Sequence, residues 1–195
     1  MRLFLIPAFA YLIGSFSSAY VVGRVFKKID IRKHGSGNPG TTNAMRVMGK
    51  KFGLLTFGLD FLKGIVASLI GLYLYGYYGG LLASLFVVIG HNWPIFFKFK
   101  GGKGIATTIA ALAVLQFPLT LISVLIGVVV AAITRYVSLG SIVFLAVNFI
   151  LSFSAIVKID IYTQLTYFLL FLLGCYRHKD NIKRLINGTE NKIGR

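Results

Sequence analysis

Acidic side chains are nearly missing from this sequence. Only Asp30, Asp60, Asp160, Asp180 and Glu190 carry negative charge in 195 residues, against twenty-one Lys and Arg, for a formal net charge of +16. Charged residues of both signs make up 13%, where a soluble domain carries about 25%. So few charges cannot cover a water-facing surface. With 56% hydrophobic residues and a mean hydropathy of +0.80, lipid must be part of the solvent. The single cysteine, Cys175, sits in an apolar run and excludes an intrachain disulfide. There is no His/Cys cluster for zinc, and the carboxylates are too scattered for a paired acid/base or two-metal site; no cofactor is expected. No Pro/Ser-rich linker, repeat or low-complexity tail divides the chain, which is read as a single domain, 1–195. The excess of cations implies anionic partners, namely membrane phospholipid headgroups and phosphorylated substrates. A basic surface confined to short loops offers no platform for nucleic acid.

Six apolar tracts stand out, roughly Leu3–Val25, Phe52–Tyr75, Leu81–Phe97, Ile105–Thr134, Ser138–Val157 and Ile161–Tyr176. Most approach the ~20 residues that a helix needs to cross the hydrocarbon core. The fourth is long for one span and short for two, and Gln116, Phe117 and Pro118 lie near its middle, where Pro breaks a helix. Reading it as a short hairpin gives seven spans. Charge placement favours that count. With the N-terminus outside and Lys63 within a span, eighteen of the remaining Lys and Arg fall on the inner side, leaving Arg2 and Lys158 outside. Six spans give at best twelve against eight, and cations belong inside. The expected fold is therefore all-α, an integral membrane bundle of seven transmembrane helices with a cytoplasmic C-terminus. Tyrosines within Leu72–Tyr78 then belong to an aromatic belt at the outer interface. Ser17-Ser18-Ala19 resembles a signal-peptide cleavage site, but cutting there would strand Arg24, Lys27 and Lys28 outside.

All the unusual polar sequence falls on the inner face, in three segments. In the first, Gly35-Ser36-Gly37-Asn38-Pro39-Gly40-Thr41-Thr42-Asn43-Ala44-Met45-Arg46, glycines permit φ > 0 and let backbone N–H groups converge on an anion. Thr41, Thr42 or Asn43 is expected to cap a short helix through Met48, with Arg46 offering a bidentate fork. In the second, Gly90-His91-Asn92-Trp93-Pro94 leads to Lys98-Phe99-Lys100-Gly101-Gly102-Lys103-Gly104, and the glycines and Lys103 meet at the start of an apolar helix. No Ser or Thr follows Lys103, so this is not a P-loop; His91 and Trp93 read as interfacial aromatics. The third runs from Arg177 through His178, Asn181 and Gly188 to Lys192. It reads as an amphipathic interfacial helix stopped by Gly188, with His178 and Asn181 one turn apart beside the membrane. Glu190, the only glutamate, is expected to tie loops together. Asp60 and Lys63, three residues apart inside a span, read as a structural ion pair, and Asn148 as interhelical hydrogen-bonding glue.

GSGNPGTTNAMR, GHNWPIFFKFKGGKGIATT and RHKDNIKRLINGTENKIG resemble, in order, the three cytoplasmic motifs of the bacterial acyl-phosphate:glycerol-3-phosphate acyltransferases. The resemblance covers essentially the whole chain. It implies an enzyme of the bacterial inner membrane that joins acyl phosphate to sn-glycerol 3-phosphate, releasing lysophosphatidic acid and phosphate in the first acylation of phospholipid synthesis. It implies catalytic roles for Ser36, Arg46, His178 and Asn181, and substrate binding by Gly37, Asn38, Gly40, Thr41, Thr42, Asn43, Gly101, Gly102, Lys103 and Gly104. Glu190 takes a structural role.

An acyl phosphate is a mixed anhydride, so direct attack by a glycerol hydroxyl needs no acyl-enzyme. Ser36 has no base partner visible in sequence, which disfavours it as a nucleophile; His178, His91 and the departing phosphate are all candidates to take the proton. The rival class is a transporter or channel for phosphorylated anions. It would suit a cationic face with Asp60 and Lys63 at depth, but the sequence shows neither inverted repeats nor broken helices.

Overall fold

The computed structural model describes residues 2–154 and 159–193, with side chains from residue 5 onward. The side chains of Arg2, Lys158 and Arg195, counted in the topology, and the last residues of the fifth tract lie outside that description. Every regular element among the described residues is helical. The chain forms two compact units, 1–115 and 116–195. Three helical stretches, Leu5–Lys27, Lys50–Phe97 and Phe117–Thr134, are long and apolar enough to cross a membrane.

The first unit holds α1 (Arg2–Gly14), α2 (Ser18–Val22), a π-turn (Gly23–Lys27), α3 (Thr41–Met48), α4 (Lys50–Asn92) and α5 (Ile105–Leu115). At 43 residues, α4 drawn straight would be about 65 Å long, twice a bilayer core. It bends instead at Tyr75 and Gly76, where Gly76 takes φ 59°, ψ −155°, a conformation cheap only for glycine. The two arms fold back on each other. A Cβ on Gly71 would overlap the Gly79 carbonyl, and one on Gly79 the Gly71 carbonyl. Ser68 and Ser84 bridge the arms through their hydroxyls at 2.9 Å. Small residues here do what apolar bulk cannot do in lipid: they let backbones touch. The same device seats α1 on the second arm, with Gly14 against Val87 and Gly90 against Tyr11, and α5 on the first arm, with Gly64 against Thr107. Tyr73, Tyr75 and Tyr78 are exposed around the bend, as a belt requires.

The first apolar tract is not one helix. It stops at Gly14, unwinds over 15–17 and resumes at Ser18, which corrects the expectation of unbroken spans. The ammonium of Lys63 fills the gap, donating to the carbonyls of Gly14 (3.1 Å) and Phe16 (2.8 Å). Three residues earlier on α4, the Asp60 carboxylate accepts from this ammonium at 2.9 Å and from the Ser18 hydroxyl at 2.7 Å. The intramembrane pair therefore also repairs a helix break.

In the second unit, α6 (Phe117–Thr134) and α7 (Val137–Leu151) are joined by Arg135 and Tyr136, then α8 (Ile161–Arg177) and α9 (Lys179–Ile186) follow. The helix breaks at Gln116 as its neighbour Pro118 dictates, with Gln116 at φ −143°, ψ 68°. Gly127 and Gly140 again bring α6 and α7 backbones together, and Gly174 seats Leu145 of α7 on α8. Asp160 caps α8, accepting from the amides of Tyr162 (2.9 Å) and Thr163 (3.2 Å). Asn148 is 1% exposed, and neither end of its amide has a hydrogen-bond partner among the described residues. The expected interhelical bond is therefore not made.

Gly71→Val should push the arms of α4 apart and lower stability by roughly 1–3 kcal/mol, the usual cost of overpacking. Gly58→Ala, whose Cβ meets nothing within 4 Å, should leave it unchanged or raise it. Thermal unfolding in detergent reads both.

Candidate functional site

Each polar segment has a built geometry. In the first, Asp30 caps a 3₁₀ turn (Ile31–Lys33), accepting from the Arg32 amide and from both arms of its guanidinium at 2.9 and 2.8 Å. That fork holds the Asp30 carboxyl down to about 2. The guanidinium also lies 4.9 Å from the Tyr20 ring centre and 5.6 Å from that of Phe97. Because Phe97 belongs to the second segment, this stack brings the first two segments to one end of the first unit.

The Gly35–Gly40 loop is organised by Asn43. Its Oδ1 accepts from the Ser36 amide at 2.9 Å, and its Nδ2 donates to the carbonyls of His34 (3.0 Å) and Ile31 (3.4 Å). Gly35 must be glycine twice over, since its φ is 59° and a Cβ would overlap the Asn43 carbonyl oxygen. The residue before α3 is Gly40, and no side chain caps the helix. This corrects the expectation for Thr41, Thr42 and Asn43: all three lie inside the helix, and Asn43 staples the loop. No side-chain cap takes the first-turn amides of α3. Ser36 and Arg46 are exposed. Underneath, Ala19, Val22, Ile31, Ala44 and Met48 form a small core that fixes α3 to the π-turn.

In the second segment, Tyr11 donates to the Trp93 carbonyl at 2.7 Å, pinning the loop to α1. The Gly102 amide donates to the His91 carbonyl at 3.1 Å. A Cβ on Gly101 would overlap that carbonyl, and one on Gly102 would overlap His91 Nε2. Gly104 has φ 77° and lies against the Asn92 side chain. The glycines are thus required first by His91 and Asn92. Lys103 stands half-exposed one residue before Gly104, ahead of α5. His91 is not an interfacial aromatic, being 7% exposed with Nδ1 3.4 Å from Asp60 Oδ1.

The third segment lies in the second unit. His178, 2% exposed, joins α8 to α9, and its Nδ1 sits 2.8 Å from the Gly174 carbonyl. A carbonyl only accepts, so Nδ1 carries a proton. Asn181 donates to Glu190 at 2.6 Å, Arg184 at 2.7 Å and the Ser138 hydroxyl at 2.9 Å. Glu190 therefore ties α7, α9 and the following strap into one body, with the Ile193 amide on the Arg135 carbonyl at 2.9 Å. Burial alone would raise the Glu190 pKa, but the three donors and the Arg184 charge overcome it and hold it below the ordinary 4.5.

Sequence reasoning placed most of these residues in polar loops but missed that Asp60, Ser18 and His91 form one buried cluster. Only the charge of Asp60 within an apolar tract pointed there.

A sequence family described as "Glycerol-3-phosphate acyltransferase" matches residues 4–188. A glycerol-3-phosphate acyltransferase of Thermoanaerobacter pseudethanolicus is 49% identical over 187 residues, covering 95% of this chain and 92% of that protein. One from Clostridioides difficile is 42% identical, covering 97% and 95%. Among solved structures, PlsY (YgiH), an integral membrane glycerol 3-phosphate acyltransferase in its glycerol 3-phosphate form, superposes with a TM-score of 0.93 at 37% identity, covering 100% of this chain and 96% of its own. The same enzyme in a lysophosphatidic acid form gives 0.90.

Glu190 has a depressed pKa when folded, so its contribution to stability is present above the unfolded value and is lost as pH falls through the folded one. Wild-type protein should lose thermal stability below about pH 4.5, with Glu190→Gln less stable at neutral pH by roughly 1.5–3 kcal/mol and flatter in acid. Unfolding temperature against pH for the two proteins checks this.

Proposed function

The chain belongs to the glycerol-3-phosphate acyltransferase family, and we propose that it transfers an acyl chain from acyl phosphate to the 1-hydroxyl of sn-glycerol 3-phosphate. The products are lysophosphatidic acid and inorganic phosphate. The observation that carries the reading is the pair of glycine-shaped, cation-bearing loops that the Arg32 stack brings to one end of the first unit. Glycerol phosphate is the ligand that the solved relative's description names.

In this reading Gly101–Gly104 cradle the phosphate of the acceptor, with Lys103 and Arg46 supplying charge. The Gly37–Thr42 loop holds the second anion, and Asn43 shapes that loop. The acceptor oxygen attacks the acyl carbon, the bond from that carbon to the phosphate oxygen breaks, and the hydroxyl proton leaves to a base or to the departing phosphate. Asn181, held by Glu190, keeps α9 in register beside His178. Ser36 orients substrate. Direct transfer is favoured because the Ser36 hydroxyl makes no hydrogen bond to a base among the described residues, and because the donor is already activated. Catalysis then rests on positioning and on charge stabilisation.

The membrane reading extends the same way. The protein is multi-pass; we place it in the bacterial inner membrane with seven spans, N-terminus outside and polar segments cytoplasmic, the whole of 1–195 serving one function. The transporter reading loses ground on a specific point. The unwound stretch of the first span is filled by the chain's own Lys63, where an ion would otherwise sit.

Purified protein given acyl phosphate and glycerol 3-phosphate should form lysophosphatidic acid, and none forming would sink the proposal. Arg46→Ala and Lys103→Ala should each lower kcat/KM by roughly ten- to a hundredfold, as loss of a charge-assisted contact predicts. Labelled acyl phosphate alone should leave no hydroxylamine-labile adduct on Ser36. A reporter fused after Arg195 should be cytoplasmic, and a cysteine near Gln116 accessible from outside.

A further inference from the structure

The turn at Gly101–Gly104 is held by residues of α4. His91 grips Gly102 twice. Its carbonyl accepts the Gly102 amide at 3.1 Å, and its ring occupies the place where any side chain on Gly102 would have to stand. The ring is itself held, with Nδ1 3.4 Å from Asp60 Oδ1. That oxygen also receives the Lys63 ammonium at 2.9 Å and the Ser18 hydroxyl at 2.7 Å. The Asp60 carbonyl accepts the Thr107 hydroxyl at 3.1 Å, so the first turn of α5, which the glycine turn feeds, is tied to the same residue. All these groups are nine-tenths or more buried.

A buried carboxylate that serves only to cancel Lys63 has no need to lie against His91 as well. Here one side chain and its own carbonyl grasp both flanks of the turn, the imidazole below Gly102 and the helix after Gly104. With Nδ1 turned toward Asp60, the other nitrogen of the ring faces Gly102.

We propose that Asp60 and His91 are positioning residues for the acceptor: the carboxylate fixes the imidazole, and the imidazole fixes the curvature of Gly101–Gly104, so that a charge cluster at helix depth sets how tightly the turn holds glycerol phosphate. This rests on the assignment of that turn to the glycerol phosphate. Lys63 has a second duty in the same cluster, since it holds the carboxylate in place while closing the break in the first span.

Steady-state kinetics of purified protein separate positioning from simple support of the fold. His91→Ala and Asp60→Asn should raise the KM for glycerol 3-phosphate by about tenfold or more, with kcat and the KM for acyl phosphate within about twofold of wild type. Should Asp60→Asn alone fail to fold with Lys63 left uncompensated, the charge-neutral pair Asp60→Asn with Lys63→Met is measured in its place. Gly102→Ala and His91→Ala act through one contact, so the double variant should be no worse than the more affected single one. Lys103→Ala serves as the reference. If Lys103→Ala raises that KM while folded Asp60 and His91 variants do not, or if the Gly102 and His91 effects simply multiply, the positioning role is wrong and the site assignment stands. If Lys103→Ala also leaves the KM unmoved, the turn is not the acceptor site and both readings fall.

Discussion

Removing a carboxylate and an ammonium from water costs several kcal/mol for each ion unless close partners offset the loss. Asp60 and Lys63 meet that condition by partnering each other and the groups at a helix break. Lys63 satisfies the carbonyls of Gly14 and Phe16, which the break between α1 and α2 leaves without helical donors. Asp60 takes the Ser18 hydroxyl at the restart of the helix. The break, the pair and the loop below His91 are therefore one construction. Without the break the ammonium would have no carbonyls to face, and without the ammonium the break would expose bare backbone to hydrocarbon.

Around that cluster the helices are brought together by glycine instead of by apolar bulk. Gly14, Gly64, Gly71, Gly79 and Gly90 in the first unit and Gly127, Gly140 and Gly174 in the second each admit a neighbour where a Cβ would collide. The large apolar side chains point outward instead: Ile133 is 79% exposed and Ile150 64%. Such an inside-out distribution makes sense only in lipid, where dispersion and close backbone contact, not water exclusion, hold helices together.

Much of this was legible in the sequence because it is local. Pro118 after Gln116 breaks the fourth tract, Gly188 follows the last helix, and the three polar segments stand out by composition wherever the chain folds. What was not legible depends on distance along the chain. The unwinding at 15–17 carries no proline and is stabilised by a lysine 47 residues away. Asn43 looked like a helix cap because Asn favours that position; seven residues upstream, the Ser36 amide offered it a better partner. His91 looked interfacial because it stands beside Trp93 and Pro94, and only the return of α4 on itself brings it to Asp60. Asn148 is the reverse case, a polar residue whose expected partner the fold does not supply.

The lysine in the first span also bears on how this protein relates to the ions around it. An unwound helix with converging carbonyls and a carboxylate has the makings of a sodium or potassium site, and membrane proteins that bind ions there become coupled to the gradients across their bilayer. Here the cation is covalently tethered, so it neither dissociates nor exchanges. The break stays filled whatever the salt on either side, so at this point of the span the backbone offers no exchangeable ion site.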